Sequence, residues 1–325
     1  MDPGRSCPLH YRYAPEDLAR NVPFETDCLY VVGGLYGNLP ALEEILELAA
    51  REPHQSVRVV FNGDFNWLNV DPAGLVDINQ RVFEHTALRG NVETELASDD
   101  NAAGCGCGYP EFVSNAEVER SNRIMEMLRD TARGFPALRR QLSALPMHAT
   151  VQVGALRVAI VHGDCESLAG WGLSQESLAD PEQRMHVQQW FVQARVSVIA
   201  SSHSCLPLMM RFEPLSGGSV VVNNGAAGMP NFRNTHYGVI TRIATRPAAH
   251  LRPLYSTRIN NIHVEALPVH YNHDRWRREF LANWPAGSPA HTSYYTRINQ
   301  GPSCTVEQAV RLRNGTEYGL QSIAI

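Results

Sequence analysis

The stretch Val57-Arg58-Val59-Val60-Phe61-Asn62-Gly63-Asp64 reads as a buried strand that stops at a glycine and delivers a carboxylate just past its end. A short run of branched and aromatic residues closed by a turn signal is the pattern of a strand covered on both faces. Three other segments end hydrophobic runs in the same way: Gly90-Asn91, His162-Gly163 and Ser202-His203-Ser204-Cys205-Leu206-Pro207. Polar residues at such positions are held rigidly yet face a cleft, because α/β folds bind ligands outside the carboxyl ends of their strands. Asp64, Asn91, His162 and His203 thus offer one carboxylate, one amide oxygen and two imidazoles to a common rim.

Working outward, strands and helices alternate. Residues 29–32 form a short strand that runs into the glycine turn 33–37. Apolar residues at 42, 45, 46, 48 and 49 give a helical pattern over 41–50, entered through Pro40. Helices are expected at 73–87, 115–133, 136–145 and 181–194. Strands are expected at 150–153 and 156–161, joined through Gly154, and at 196–200, 208–212, 219–222 and 237–243. Alternation of this kind argues for an α/β fold. Residues 1–27 read as an N-terminal arm and 28–245 as the main domain, with a Gly/Cys-rich insertion at 98–115. Residues 246–325 read as an extension packed on that domain, with an amphipathic helix over 274–283 whose Arg275, Trp276, Arg277 and Arg278 fit packing better than a substrate cap.

Composition bounds the chemistry. A chain of 325 residues, 44% hydrophobic, can bury a large core. Its net charge of −5 with only 19% charged residues gives no nucleic-acid signature. All 28 basic residues are Arg, which excludes P-loop and Schiff-base lysine chemistry. No run reaches membrane-span length, and residues 1–26 hold no continuous apolar stretch. Seven cysteines without regular spacing point to a reducing cytoplasm, with free thiols or metal ligation expected rather than disulfides. Cys105-x-Cys107 is read as part of a glycine-rich flap with incidental thiols, metal binding and a redox pair being the alternatives.

The order and residue types of the four strand-end segments, followed by Asn223-Asn224-Gly225-Ala226, resemble the calcineurin-like metallophosphoesterases over roughly residues 28–245. The resemblance implies an α/β sandwich of two sheets flanked by helices, with two metals bound by strand-end loops. It implies that Asp64, Asn91, His162 and His203 form one complete metal site. The other site shares Asp64, but its remaining positions carry Gly34, Tyr36 and Cys205 where the family has Asp, His and His. Val92 and Glu93 follow the Gly-Asn, where many members have a His proposed to protonate the leaving group. Trp67 replaces a common acidic residue, and Asn66 is a polar neighbour.

The resemblance therefore implies one divalent transition metal, Mn, Fe, Co, Ni or Zn, which is also what a mixed N/O ligand set favours. The expected activity is hydrolysis of a small phosphorylated substrate, monoester or diester, by a metal-bound water. Arg89 and Tyr36 are the expected catalytic residues, replacing the missing positive charge. Asn38, Asn66, Glu93, Asp164 and Cys205 are candidates for support or substrate contact, with Asp164 placed either to orient His162 or to start a turn. A buried, inert thiol is the preferred reading of Cys205. For Tyr36, core packing and a site role are evenly weighted. Two other readings stay open: a non-hydrolytic mononuclear-metal enzyme on the same fold, and a silent metal-binding or scaffold module.

Overall fold

A computed structural model describes residues 2–20, 24–212, 218–249 and 251–311. Its strands are β1 (Phe24–Thr26), β2 (Cys28–Val32), β3 (Val57–Asn62), β4 (Thr86–Leu88), β5 (His148–Val153), β6 (Leu156–Val161), β7 (Val198–Ser201), β8 (Pro207–Phe212), β9 (Ser219–Asn224), β10 (Gly238–Ala244), β11 (Tyr255–Ile259), β12 (Ile262–Val269) and β13 (Val310–Arg311). They form two sheets, one in the order β1-β5-β6-β7-β9-β8-β13 and the other β11-β12-β10-β2-β3-β4.

The alternation of side chains along each strand sets the layers. Leu29, Val31, Val60 and Leu88 of one sheet meet Val158, Ile160, Val198, Ala200 and Val222 of the other in a central core. The residues between them along each strand point outwards. Tyr30, Val32, Val59 and Phe61 pack under helices that include Leu39–Ala50, His273–Asn283 and Pro289–Gln300. Ala159, Val161, Ile199 and Val221 pack under helix Pro181–Ala194 and Leu18. The architecture is thus a helix–sheet–sheet–helix sandwich, as expected. Because both faces of the central strands are covered, they read as unbroken apolar runs in the sequence.

The parallel strands β2, β3 and β4 end on the same rim as the parallel pair β6 and β7. Their carboxyl ends carry the loops 33–38, 63–66, 90–91, 162–164 and 202–205.

Several elements differ from the sequence expectation. The helix expected over 73–87 stops at Val82, and Thr86–Leu88 is a strand paired in parallel with β3. Three residues are too few to show an alternation, and only pairing with β3 reveals them. The N-terminal segment contributes β1 to a sheet edge, and 246–325 supplies β11 and β12 to the other sheet, with β12 paired to β10 from His263 to Val269. Among the described residues, no helix is long and apolar enough to cross a membrane.

A buried ion cluster ties the strands of 246–325 to the central sheet. Arg242 on β10 donates to Glu52 at 2.6 and 3.1 Å and to Glu265 on β12 at 2.5 Å. Tyr30 donates to Glu52 at 2.7 Å. Burial works against ionising Glu52, but the bonds from Arg242, Tyr30 and His54 hold its carboxyl down at about 2. A depressed carboxyl stabilises the fold above its unfolded pKa of about 4.3 and loses that contribution as pH falls towards the folded value. Stability measured by urea unfolding is therefore expected to drop between about pH 4.3 and about pH 2. Arg242→Leu, which strands two buried carboxylates, is expected to cost about 3–5 kcal/mol at neutral pH and to flatten that acid limb.

Candidate metal centre

Close approach of the loops assembles the site. A Cβ on Gly90 would lie 2.3 Å from Asp64 Oδ1 and 2.9 Å from His162 Cε1, so only glycine lets these two segments meet. Gly90 also opens the helix Asn91–Ala97, placing Asn91 at its first residue. Glu93, in that first turn, accepts from the backbone N–H groups of Asp64 (2.7 Å), Gly90 (2.9 Å) and Asn66 (3.1 Å) and from the Asn66 side chain (3.3 Å). Burial and then the nearby Asp64 carboxylate lift its carboxyl to about 7. With both oxygens occupied, Glu93 staples the Asp64 and Asn91 loops together.

The four expected ligands converge. His162 Nε2 lies 3.3 Å from Asp64 Oδ2, 3.2 Å from Asn91 Oδ1 and 3.1 Å from His203 Nδ1. The outward atom of three of them is pinned by a backbone carbonyl. His162 Nδ1 donates to Asn62 O at 2.8 Å, Asn91 Nδ2 to Cys105 O at 3.0 Å, and His203 Nε2 to Cys107 O at 2.9 Å. A carbonyl oxygen only accepts, so each bond assigns the tautomer or amide orientation. Nε2 of His162, Nδ1 of His203, Oδ1 of Asn91 and Oδ2 of Asp64 are then four lone-pair donors facing one point.

Four lone pairs at 3.1–3.3 Å without a hydrogen between them repel, and a cation among them removes the conflict. Burial opposes charging His162, but the Asp64 carboxylate outweighs it and raises the imidazole pKa. Burial likewise opposes ionising Asp64, and His162 overcomes it to hold the carboxyl low. Burial, aided by His162, pushes His203 down to about 4, so it is neutral and able to ligate at pH 7. The donor set fits a divalent transition ion.

The glycine-rich insertion is therefore part of the site, because its carbonyls at 105 and 107 orient Asn91 and His203. Cys105 and Cys107 form a disulfide, which corrects the reading of incidental thiols there, while the other five cysteines are free as expected. Trp171 reinforces this wall by donating to Cys107 O at 3.0 Å while its ring packs edge-on against His203.

The positions where the resemblance implies a second metal's ligands carry Gly34, Tyr36 and Cys205. A Cβ at Gly34 would sit 3.2 Å from Tyr36 Cζ and 3.2 Å from Ala226 Cα, and the backbone there is left-handed, with φ +63°. The Tyr36 hydroxyl lies 2.6 Å from Cys205 Sγ, whose thiol reaches His203 O at 3.1 Å. Burial is the main cause that raises both groups above their ordinary pKa values, so both are neutral. Tyr36 and Cys205 also carry left-handed backbones, at φ 58° and 59°.

The remaining candidates separate clearly. Arg89 is not at the site: its Nη1 donates to Ser143 O at 3.2 Å, and it does not line the cavity above the metal centre. Asn38 caps helix Leu39–Ala50 and donates to Gly228 O at 2.8 Å. Asp164 accepts from the backbone of Glu166, Ser167 and Gly172 at 2.9–3.0 Å, closing a turn rather than orienting His162. Asn66 bonds Asn79 and Glu93 beneath the loop.

Sequence reading missed the helix Pro289–Gln300, which brings Tyr294 and Arg297 into the cavity. Ser288-Pro289 is a cap-and-first-turn signature and Gly301-Pro302 a stop, so the helix was legible from its ends.

Neither protein-family models nor curated proteins match the sequence. Solved structures do match. A metallophosphoesterase from Sphaerobacter thermophilus aligns with 84% of this chain and 99% of its own, at 17% identity and a TM-score of 0.53. A hypothetical protein, PH1004, from Pyrococcus horikoshii OT3 aligns with 85% of this chain and 100% of its own, at 16% identity and a TM-score of 0.54. The chain has the calcineurin-like metallophosphoesterase fold.

These altered positions give a direct test. Gly34→Asp restores the family's residue type but meets Tyr36 and Ala226, so its metal content by elemental analysis is expected to equal that of the unaltered protein. A second equivalent would show that Tyr36 and Cys205 yield to an ion.

Proposed function

We propose that this protein is a phosphoesterase working with a single divalent transition metal, held by Asp64, Asn91, His162 and His203. The observation that carries the reading is the set of four lone pairs aimed at one point, three of them oriented by backbone carbonyls. The fold it shares with a metallophosphoesterase supports the reaction class.

An ion held there supplies Lewis acidity towards a phosphoryl oxygen and activates water as a nucleophile at neutral pH. The chain's own residues do the rest. The carbonyls of Asn62 and Cys107 keep both imidazoles in the ligating tautomer, so neither is lost to rotation or to an outward lone pair. Glu93 fixes the distance between the Asp64 and Asn91 loops. Trp67, Tyr109, Trp171 and Tyr294 wall the cavity and exclude bulk water, which strengthens the interaction of charged groups inside. The cavity above the ligand cluster is narrow, about 30 Å³.

The closed Tyr36–Cys205 contact favours one further reading, a mononuclear-metal protein that does not hydrolyse phosphoesters. Metal analysis combined with assays on phosphomonoester and phosphodiester panels distinguishes the two. Protein purified without added metal is expected to carry about one equivalent and to hydrolyse one of the panels; metal without hydrolysis selects the second reading.

Substitutions test the ligand set. Asp64→Ala and His203→Ala are expected to remove bound metal together with activity, on the order of 100-fold or more in metal affinity, since each takes away a direct donor. Tyr36→Phe is expected to retain the metal, because the hydroxyl contacts Cys205 rather than the ligand cluster. Full metal occupancy in His203→Ala sinks the assignment.

A further inference from the structure

Arg297 stands out among the groups that the metal centre does not use. It is 6% exposed, yet no carboxylate among the described residues pairs with it. Its Nε donates to Pro230 O at 3.0 Å and its Nη2 to Cys205 O at 2.9 Å, with a longer contact to Asn231 Oδ1 at 3.5 Å. Nη1 has no partner among the described residues, and the side chain lines the cavity together with Asp64, Asn91 and His203. Burying a guanidinium without a counter-charge is costly unless an anion completes it.

Its position coincides with the altered half-site. Cys205, whose carbonyl anchors the guanidinium, is one of the residues replacing the family's ligands, and its thiol meets Tyr36, another of them. Trp67, a third departure, donates to Tyr294 Oη at 2.9 Å, one helical turn before Arg297. The helix Pro289–Gln300 therefore packs on the very positions where ligands have been lost, and brings to them one fixed positive charge.

We propose that Arg297 takes over the electrostatic role of a second metal and binds an oxygen of the substrate's phosphoryl group through Nη1, beside the ion held by Asp64, Asn91, His162 and His203. A planar guanidinium is suited to this, because it is always charged and its rigid plane lets Nε and Nη2 anchor on carbonyls while Nη1 points to the anion. Backbone carbonyls hold it in place before the anion arrives, so no side-chain ordering is paid on binding.

The inference rests on the single-metal reading, and the test separates the two. Inorganic phosphate is titrated calorimetrically into the metal-containing protein, into Arg297→Gln and into Arg297→Lys, with metal content measured for each. The expected result is unchanged metal content, phosphate affinity at least about tenfold weaker in Arg297→Gln, and an intermediate loss in Arg297→Lys, which keeps the charge without the fork. Phosphate binding to folded, metal-containing Arg297→Gln that matches the unaltered protein overturns the proposal. Absence of metal from the unaltered protein overturns the single-metal reading instead. Should Arg297→Gln not fold, tungstate soaked into crystals of the unaltered protein decides: an oxyanion in hydrogen-bond reach of Arg297 supports the assignment, and one bound at the ligand cluster out of that reach overturns it.

Discussion

Three backbone carbonyls, those of Asn62, Cys105 and Cys107, each take the outward N–H of a site residue, and the arrangement of the centre depends on them. They turn freely rotating amide and imidazole groups into oriented donors, and crowd lone pairs together in a place from which water is largely removed. Such crowding is tolerable only when a positive charge neutralises it. The Asp64 carboxylate raises the His162 pKa and His162 lowers that of Asp64, the mutual pull of opposite charges buried together.

The carbonyls come from different parts of the chain. Asn62 closes a core strand, so its position is set by the sandwich itself. Cys105 and Cys107 belong to the Gly/Cys-rich insertion, which is tethered to the N-terminal segment by Gly4 and Tyr109 backbone bonds. The chain's first residues thus support the wall that orients Asn91 and His203. This places the N-terminal segment and the insertion in the same mechanical unit as the metal centre, though neither provides a ligand.

On the opposite side, loss of ligands and gain of packing go together. Tyr36 and Cys205 are in contact at 2.6 Å, Trp67 bonds Tyr294, and Arg297 sits buried against the Cys205 carbonyl. A site that had merely decayed would leave a polar hole. Here the cavity is lined with aromatic rings and one guanidinium, the arrangement on which the proposed role of Arg297 rests.

The α/β alternation and the four polar residues at strand ends were legible in the sequence, because both depend on local signals, and the family resemblance added the two-sheet sandwich. Buried strands announce themselves as short apolar runs, and Asp64, Asn91, His162 and His203 each follow one. The asymmetry of Gly34, Tyr36 and Cys205 was also visible residue by residue. Adjacency across the fold was not legible. Arg89 is next to a ligand in sequence but turns to Ser143 O, whereas Arg297, over two hundred residues away, enters the cavity. The same limit hid β4, β11 and β12, whose pairing partners lie elsewhere in the chain. Sequence determined which groups stand at the ends of the buried strands; tertiary structure decided where the buried positive charge sits, because direction and contact of a side chain are properties of packing and not of spacing.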